Sequence, residues 1–476
     1  MKLFGTDGIR GKFNETPITH DDLVKIGYAF AKVIFGEDKG KIFISNDGRE
    51  SASIIESALS IGITHQGSEV CQIGLYTTPG LSIYLNTITT TSELYAGIQI
   101  TASHNPYYDN GVKFFDKNGF KINSKMEGLI EDIYKKFNIE INNNNKNISH
   151  EDNLDSYNQH YISYINDYFN SKMSEVKIPE RKFNILIDCA NGAASKIINR
   201  LFKDSFINLI PINDKPSGQN INHDCGATNT NMLEKFIIDF NNINANSFDY
   251  DKTRKPKELK IDLGAALDGD GDRIIFISPF GKKINGDDVL FILALFHKKF
   301  NEKVDSVVGT QMTNYGIQDL YKKHNIKFTE THVGDKHVLK EMIKSNSSFG
   351  GESSGHILIQ VLNGLYIGDG IITLINLLEV LFKQDKNIDQ LKKEIISIPS
   401  KLLNIKVNNK KKFLEDEINI KLFSDLERML GPDGRILLRP SGTENLIRLL
   451  LEHKDSEKIE ILSQHFYDNI NKHTLT

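Results

Sequence analysis

The chain reads as an α/β protein built on largely parallel sheets and closing in a smaller α+β unit. Three observations predict this. Apolar runs of strand length alternate with helical stretches as far as residue 383. Several of these runs are followed by glycine- and acid-rich loops, where open α/β sheets carry their chemistry. After 383–387 the pattern changes to strand-like 402–407, strand-like 435–438 and an amphipathic helix near 457–470.

Taken in order, Thr19 with Asp22 three residues on has the form of a capping box opening a helix over 23–34. Residues 41–45 predict a short buried strand, 51–61 a helix, and 69–73 and 96–101 further strands. The polar stretch at 142–145 marks a domain boundary. A second αβ unit follows, with strand 183–188 and helix 194–202. Residues 241–260, rich in Asn, Asp, Lys and Arg, read as an exposed loop. A third unit carries the acidic loop 268–273, strand 306–309 and helix 314–324.

At 476 residues the length suggests about three domains, with four in range. The 39% hydrophobic and 25% charged content is that of a globular protein with sizeable cores. A net charge of -4 offers no electrostatic case for nucleic acid or an anionic membrane. Cys71, Cys189 and Cys225 show no CxxC or metal-ligand spacing, which points to a reduced, cytoplasmic chain. The N-terminus lacks the apolar stretch of a signal peptide. The apolar runs 289–296 and 371–382 are too short to span a bilayer and read as buried helices.

The most informative loop is Asp268-Gly-Asp-Gly-Asp-Arg273, directly after the apolar run 261–267. In extended backbone, residues two apart point the same way, so the three carboxylates converge. They repel by about 4 kcal/mol per pair at 4 Å and an effective dielectric of 20. Something positive belongs among them, and an all-oxygen set with so few protein ligands suits Mg2+. An EF-hand fails here, because its sixth and twelfth positions hold Arg273 and Pro279. A solvated acidic turn stays open on this motif alone.

Other loops offer further groups. Ser103, in Thr101-Ala-Ser-His-Asn-Pro106, presents a hydroxyl, though Asn-Pro by itself signals a turn. Lys113 is a nearby cation. Arg439-Pro-Ser-Gly-Thr-Glu444 offers guanidinium, hydroxyl and amide donors suited to phosphate, or an ordinary polar turn. Gly351-Glu-Ser-Ser-Gly355 contains the G-x-S-x-G pattern of a serine hydrolase centred on Ser353, but apolar strand-like 357–361 follows where a helix is needed. Nucleotide-binding glycine fingerprints are absent, so phosphate handling without a nucleotide favours a phosphosugar.

Five stretches now stand in order: Phe4-Gly-Thr-Asp-Gly-Ile-Arg-Gly11, the serine loop 101–106, the acidic loop 268–273, the loop 351–356 and the loop 439–444. Together they resemble the α-D-phosphohexomutases over essentially the whole chain, most closely the bacterial phosphoglucosamine mutases. The opening FGTDGIRG and the Ser-Gly-Thr of the last loop favour that branch over the phosphomannomutase/phosphoglucomutase branch. The resemblance implies four domains around a central cleft. Three are related mixed α/β domains, at 1–150 with the serine loop, 151–259, and 260–383 with the metal and sugar loops; the fourth, at 384–476, is α+β and carries the phosphate loop.

It further implies a phosphoserine at Ser103, with Mg2+ held there and by Asp268, Asp270 and Asp272. The implied reaction interconverts glucosamine 6-phosphate and glucosamine 1-phosphate through glucosamine 1,6-bisphosphate. Arg10, Lys113 and His356 join Ser103 as catalytic candidates. Glu352 and Ser354 would hold sugar hydroxyls, Arg439, Ser441, Gly442 and Thr443 the distal phosphate, and Arg273 would also face the substrate. A cytoplasmic enzyme with a phosphosugar partner follows, and family members often form homodimers. The chain departs from the pattern at Asn445, where Pro is common, at Lys336, where Arg is usual, and in the length of 241–260. A serine hydrolase using Ser353 and a non-catalytic phosphosugar sensor are the rival readings.

Overall fold

The computed structural model describes residues 2–5, 7–88, 93–137, 148–149, 155–246, 260–300, 304–361, 364–440, 445–472 and 475. Three mixed sheets and one small antiparallel sheet organise it. The first runs Ile9–Lys12, Asp109–Phe115, Tyr95–Ile100, Lys41–Asn46, Glu69–Leu75, Ile148–Ser149 across its width. Its last four strands are parallel, and Tyr95–Ile100 pairs antiparallel with Asp109–Phe115. The second runs Lys283–Ile284, Ile274–Ile277, Leu263–Leu267, Phe183–Asp188, Ile207–Ile212, and the third Lys327–Thr331, Ser306–Thr310, Phe349–Gly351, Ile357–Gln360, Tyr366–Gly368. Both repeat the plan of parallel strands ending in an antiparallel hairpin. The fourth sheet is Ser400–Lys406, Leu446–His453, Gly434–Pro440, wholly antiparallel. Strands 41–45, 69–73, 96–101, 183–188, 306–309, 402–407 and 435–438 therefore form where the sequence places them, within two residues at each end.

Local chemistry explains the first helix, His20–Phe35. Thr19 accepts from the Asp22 amide, but Asp22 turns its own carboxylate to the Tyr134 hydroxyl, so the capping box is half-formed. This helix crosses Ala52–Gln66 at two glycines. A Cβ at Gly62 would lie 1.9 Å from the Val24 carbonyl oxygen, and one at Gly27 2.2 Å from that of Leu59. Backbone meets backbone there, so no side chain can yield. Gly62→Ala is expected to cost about 3 kcal/mol or more by forcing the helices apart; a denaturant midpoint unchanged from the unmodified protein would refute the crossing.

Glu56, on the same second helix, is buried, and its Oε1 has no hydrogen-bond partner. Burial pushes its carboxyl up to about 7. The unfolded chain ionises near pH 4.3, so the folded state holds the proton longer, and stability falls as pH rises from there to about 7. Glu56→Gln is expected to gain nothing at pH 4 and about 3 kcal/mol by pH 8. Urea melts at both pH values measure it, and an equal gain at both contradicts the burial argument.

The runs 289–296 and 371–382 lie inside the buried helices Gly286–Lys299 and Gly370–Lys383. Among the described residues no helix is long and apolar enough to cross a membrane. One apolar core joins the first, second and third sheets, taking Phe43, Ile73 and Phe115 from the first. A separate core lies on the other face of the first sheet, around Ile42, Ile44 and Phe114, and another under the fourth.

Three expectations change. The helix at 194–202 is two short 3-10 turns, Ala193–Lys196 and Ile198–Arg200. The Ala193 amide is spent on the Gly269 carbonyl 2.8 Å away, and a Cβ at Gly192 would sit 2.1 Å from that oxygen, so the segment is pinned to the acidic loop. Residues 241–246 continue the helix Asn231–Asn246 instead of opening a loop, while 247–259 and the seam 142–145 lie outside the described residues. The division at 259/260 also fails to follow the sheets. Leu263–Leu267 lies parallel to Phe183–Asp188, so the acidic loop belongs to the second unit, and the third sheet begins only at Ser306–Thr310.

Candidate active site

The serine, acidic and 352–356 loops occupy equivalent places. Each is the tip of the hairpin that leaves the carboxyl end of a parallel strand: Tyr95–Ile100 into Asp109–Phe115, Leu263–Leu267 into Ile274–Ile277, Phe349–Gly351 into Ile357–Gln360. The strands on either side of 441–444, Gly434–Pro440 and Leu446–His453, are likewise antiparallel.

Ser103 sits in the left-handed region, with φ 53°, and is fully buried. Its amide donates to Thr101 Oγ1, and its hydroxyl donates to Asp268 Oδ2 at 2.6 Å, joining the first and second units. Arg49 braces the loop from below. Its guanidinium pairs with Asp47 at 2.9 Å and donates to the carbonyls of Ser103, Asn105, Pro106 and Asp109. Asn222, from the second unit, grips the Ser103 and Asn105 carbonyls at 2.8 and 3.1 Å. Sequence reading missed both residues. Arg49 carried a signal, since Asp47-Gly-Arg49 follows a strand, whereas Asn222 carried none.

Asp268, Asp270 and Asp272 each bring a carboxylate oxygen within 4.8 Å of the others. Burial, then the charges of Asp272 and Asp270, push Asp268 well above the usual carboxylate range. Burial works against Asp272 as well, but Lys113, His356 and Arg273 outweigh it and hold that carboxyl low. The Oδ1 atoms of Asp270 and Asp272 are buried without a hydrogen-bond partner. Acceptor-only oxygens left this way fit a hard divalent cation.

Lys113 is buried on strand Asp109–Phe115 and meets Asp270 Oδ2 at 2.8 Å, Asp272 Oδ2 at 2.9 Å and Asp7 Oδ2 at 3.2 Å. Burial alone would lower its pKa, but Asp270, Asp272 and Asp7 raise it well above the usual lysine value. Of the acid and base roles open to it, the arrangement leaves Lys113 as a proton-carrying cation. Thr78 also donates to Asp270, from the start of the helix Thr78–Thr87.

Arg10 reaches the loop rather than the serine hydroxyl, donating to the Ala102 carbonyl at 3.0 Å and pairing with Asp7 at 3.1 Å. Arg273 Nε lies 3.7 Å from Asp268 and 3.8 Å from Asp272, and His356 Nδ1 3.6 Å from Asp272. His104, absent from the sequence reading, places Nδ1 3.3 Å from Ser103 Oγ. Burial, helped by Arg273 and Arg10, brings its pKa down to about 3, so the ring is neutral.

Glu352 accepts from the Gly334 amide at 2.9 Å, and Ser354 Oγ is buried without a partner. Lys336, standing where an arginine was expected, is drawn instead to Glu127 of the first unit. Ser353 lies in a turn between two antiparallel strands, not between strand and helix, so the hydrolase elbow is not formed. Ser441, Gly442 and Thr443 lie outside the described residues. Arg439 is described: its strand register sets it directly opposite Arg448. Like charges facing across a ladder are unfavourable without an anion, and burial together with Arg448 lowers the Arg439 pKa. Arg448 was not read from the sequence, because cross-strand register is not visible there.

Four family models match in succession. They are the phosphoglucomutase/phosphomannomutase alpha/beta/alpha domain I at residues 1–139, domain II at 159–281, domain III at 285–398 and the C-terminal domain at 402–468. The chain is 34% identical over 471 residues to the phosphoglucosamine mutase of Alcanivorax borkumensis, covering 99% of each. In fold it is similar to a phosphoglucomutase/phosphomannomutase family protein from Burkholderia thailandensis, with a TM-score of 0.73 at 20% identity over 98% of this chain and 96% of that one. It is also similar to the Aspergillus fumigatus N-acetylphosphoglucosamine mutase solved with GlcNAc-6P and magnesium, with a TM-score of 0.62 at 18% identity over 91% and 83% of the two chains.

Proposed function

Because the chain belongs to the phosphoglucomutase/phosphomannomutase family, we propose that it is an intramolecular phosphotransferase interconverting glucosamine 6-phosphate and glucosamine 1-phosphate. The name of the full-length relative supports the sugar. The observation that carries the chemistry is the 2.6 Å bond from Ser103 Oγ to Asp268, at the edge of a three-carboxylate knot with two unpartnered oxygens. A hydroxyl held there is placed to carry a phosphoryl group beside a divalent cation.

In this reading the Oγ–P bond of phosphorylated Ser103 breaks as a P–O bond forms to the free sugar hydroxyl, whose proton leaves to a base or to water. The resulting glucosamine 1,6-bisphosphate reorients in the site. Its other phosphorus then bonds to Ser103 Oγ as the sugar O–P bond breaks, the serine proton leaves, and the freed sugar oxygen takes up a proton. Mg2+, held by Asp268, Asp270, Asp272 and a phosphoserine oxygen, would neutralise charge spreading over the transferring group. Lys113 and Arg273 supply fixed positive charge beside the carboxylate knot, and Arg10 holds the serine loop through the Ala102 carbonyl. Glu352 and Ser354 hold sugar hydroxyls. Arg439 with Arg448, and the donors of Ser441, Gly442 and Thr443, take the phosphate that is not reacting. His356 remains a proton-transfer candidate beside Asp272. A cytoplasmic setting belongs to the reading, supported by three buried cysteines that form no disulfide, and so does a homodimer, which light scattering checks.

The test is turnover of purified protein with Mg2+ and a trace of 1,6-bisphosphate, comparing glucosamine, mannose and glucose 6-phosphates. We expect kcat/KM for the amino sugar to lead by about tenfold or more. Faster turnover of mannose or glucose would move the chain to the phosphomannomutase/phosphoglucomutase activity. Binding without turnover of any sugar would leave the sensor.

A further inference from the structure

We propose that Asp7 is a positioning residue that sets the affinity of the carboxylate knot for its cation by sharing Lys113 with it. The inference rests on the metal-site reading above. Lys113 Nζ touches Asp270 and Asp272 on one side and Asp7 Oδ2, at 3.2 Å, on the other. An ammonium on two of the three ligand carboxylates competes with the divalent ion for their charge. A third carboxylate behind it offsets that competition. Asp7 stays ionised for this purpose: burial opposes its charge, but Lys113, Lys121 and Arg10 together hold its pKa well below the usual range.

Asp7 is itself shared. Its Oδ2 also takes Arg10 at 3.1 Å, and its Oδ1 takes Lys121 at 2.5 Å, which reaches on to Asp335 of the third unit at 2.5 Å. Lys121 therefore draws negative charge away from Lys113. A second bridge, Glu127 to Lys336, joins the same two units without touching Asp7. The two bridges separate a charge effect from a mere seating of one unit on the other.

Mn2+ binding to the full-length protein, followed by electron paramagnetic resonance without substrate, tests the proposal. Asp7→Asn is expected to raise the Mn2+ Kd about tenfold. Lys121→Met removes a positive charge and is expected to lower it about threefold, a change of opposite sign that no loss of packing produces. Glu127→Gln is expected to leave it within twofold. If Asp7→Asn does not fold, the sign of the Lys121→Met change decides alone. An unchanged Kd in Asp7→Asn, weaker binding in Lys121→Met, or a Glu127→Gln loss as large as that of Asp7→Asn overturns the proposal. Failure of the unmodified protein to bind Mn2+ would instead remove the metal-site reading beneath it.

Discussion

Ser103→Ala is expected to fold, to bind the divalent cation and to turn over no phosphosugar, with a loss on the order of 10⁴-fold or more. The fold should survive because the loop does not hang on the hydroxyl. Arg49 and Asn222 hold it through backbone carbonyls, and the left-handed φ of 53° suits alanine no worse than serine. What disappears is the only atom at this position that can carry a phosphoryl group. Intact mass should show one phosphate on the unmodified protein and none on the variant. Turnover above about 1% of the unmodified rate would mean that another group takes the phosphoryl, and the mechanism would fall.

Asp270→Asn is expected to cost about 10³-fold in turnover, for a different reason. Asp270 Oδ2 accepts from both Lys113 and Thr78, and its Oδ1 stands unpartnered. An amide in its place either turns its NH2 toward both donors or keeps its oxygen on them and puts the NH2 where Oδ1 faced the cation site. In both cases it removes one of three charges from that site. Without metal, relief of repulsion among the carboxylates offsets the weakened hold on Lys113, so the melting temperature should barely move. Adding Mg2+ should raise the melting temperature of the unmodified protein and leave the variant flat, since an ion stabilises only the state that binds it. An equal rise in both would exclude Asp270 from the cation site.

Much of this site was legible because its groups lie close together in sequence. The alternation of Asp268, Asp270 and Asp272 announces convergence without any knowledge of the fold, and the structure brings them within 4.8 Å of one another. Ser103, Lys113, Arg273 and His356 were also read, and the structure gathers them around the same knot. What the sequence withheld is long-range pairing. The acidic loop was expected in the third unit, at 260–383, yet Leu263–Leu267 pairs with Phe183–Asp188, a partner no local periodicity reveals. Asp7, Lys121 and Asp335 look like three ordinary surface charges along the chain and become a network only in space. Arg448 gains its meaning from lying across a ladder from Arg439. The segment expected as a helix at 194–202 forms two 3-10 turns and is tied through the Ala193 amide to Gly269 of the acidic loop, a contact that no local pattern shows.

The serine, acidic and 352–356 loops are each clasped at both ends by a single two-stranded ladder within their own sheet. They are not independent of one another: the Ile274 amide, just past the acidic loop, donates to the Gly355 carbonyl at 3.1 Å, and His356 stands 3.6 Å from Asp272. Any exchange of residues 352–356 therefore reaches the carboxylate knot as well, and a new preference at that loop has to be gained without moving its tie to the neighbouring hairpin.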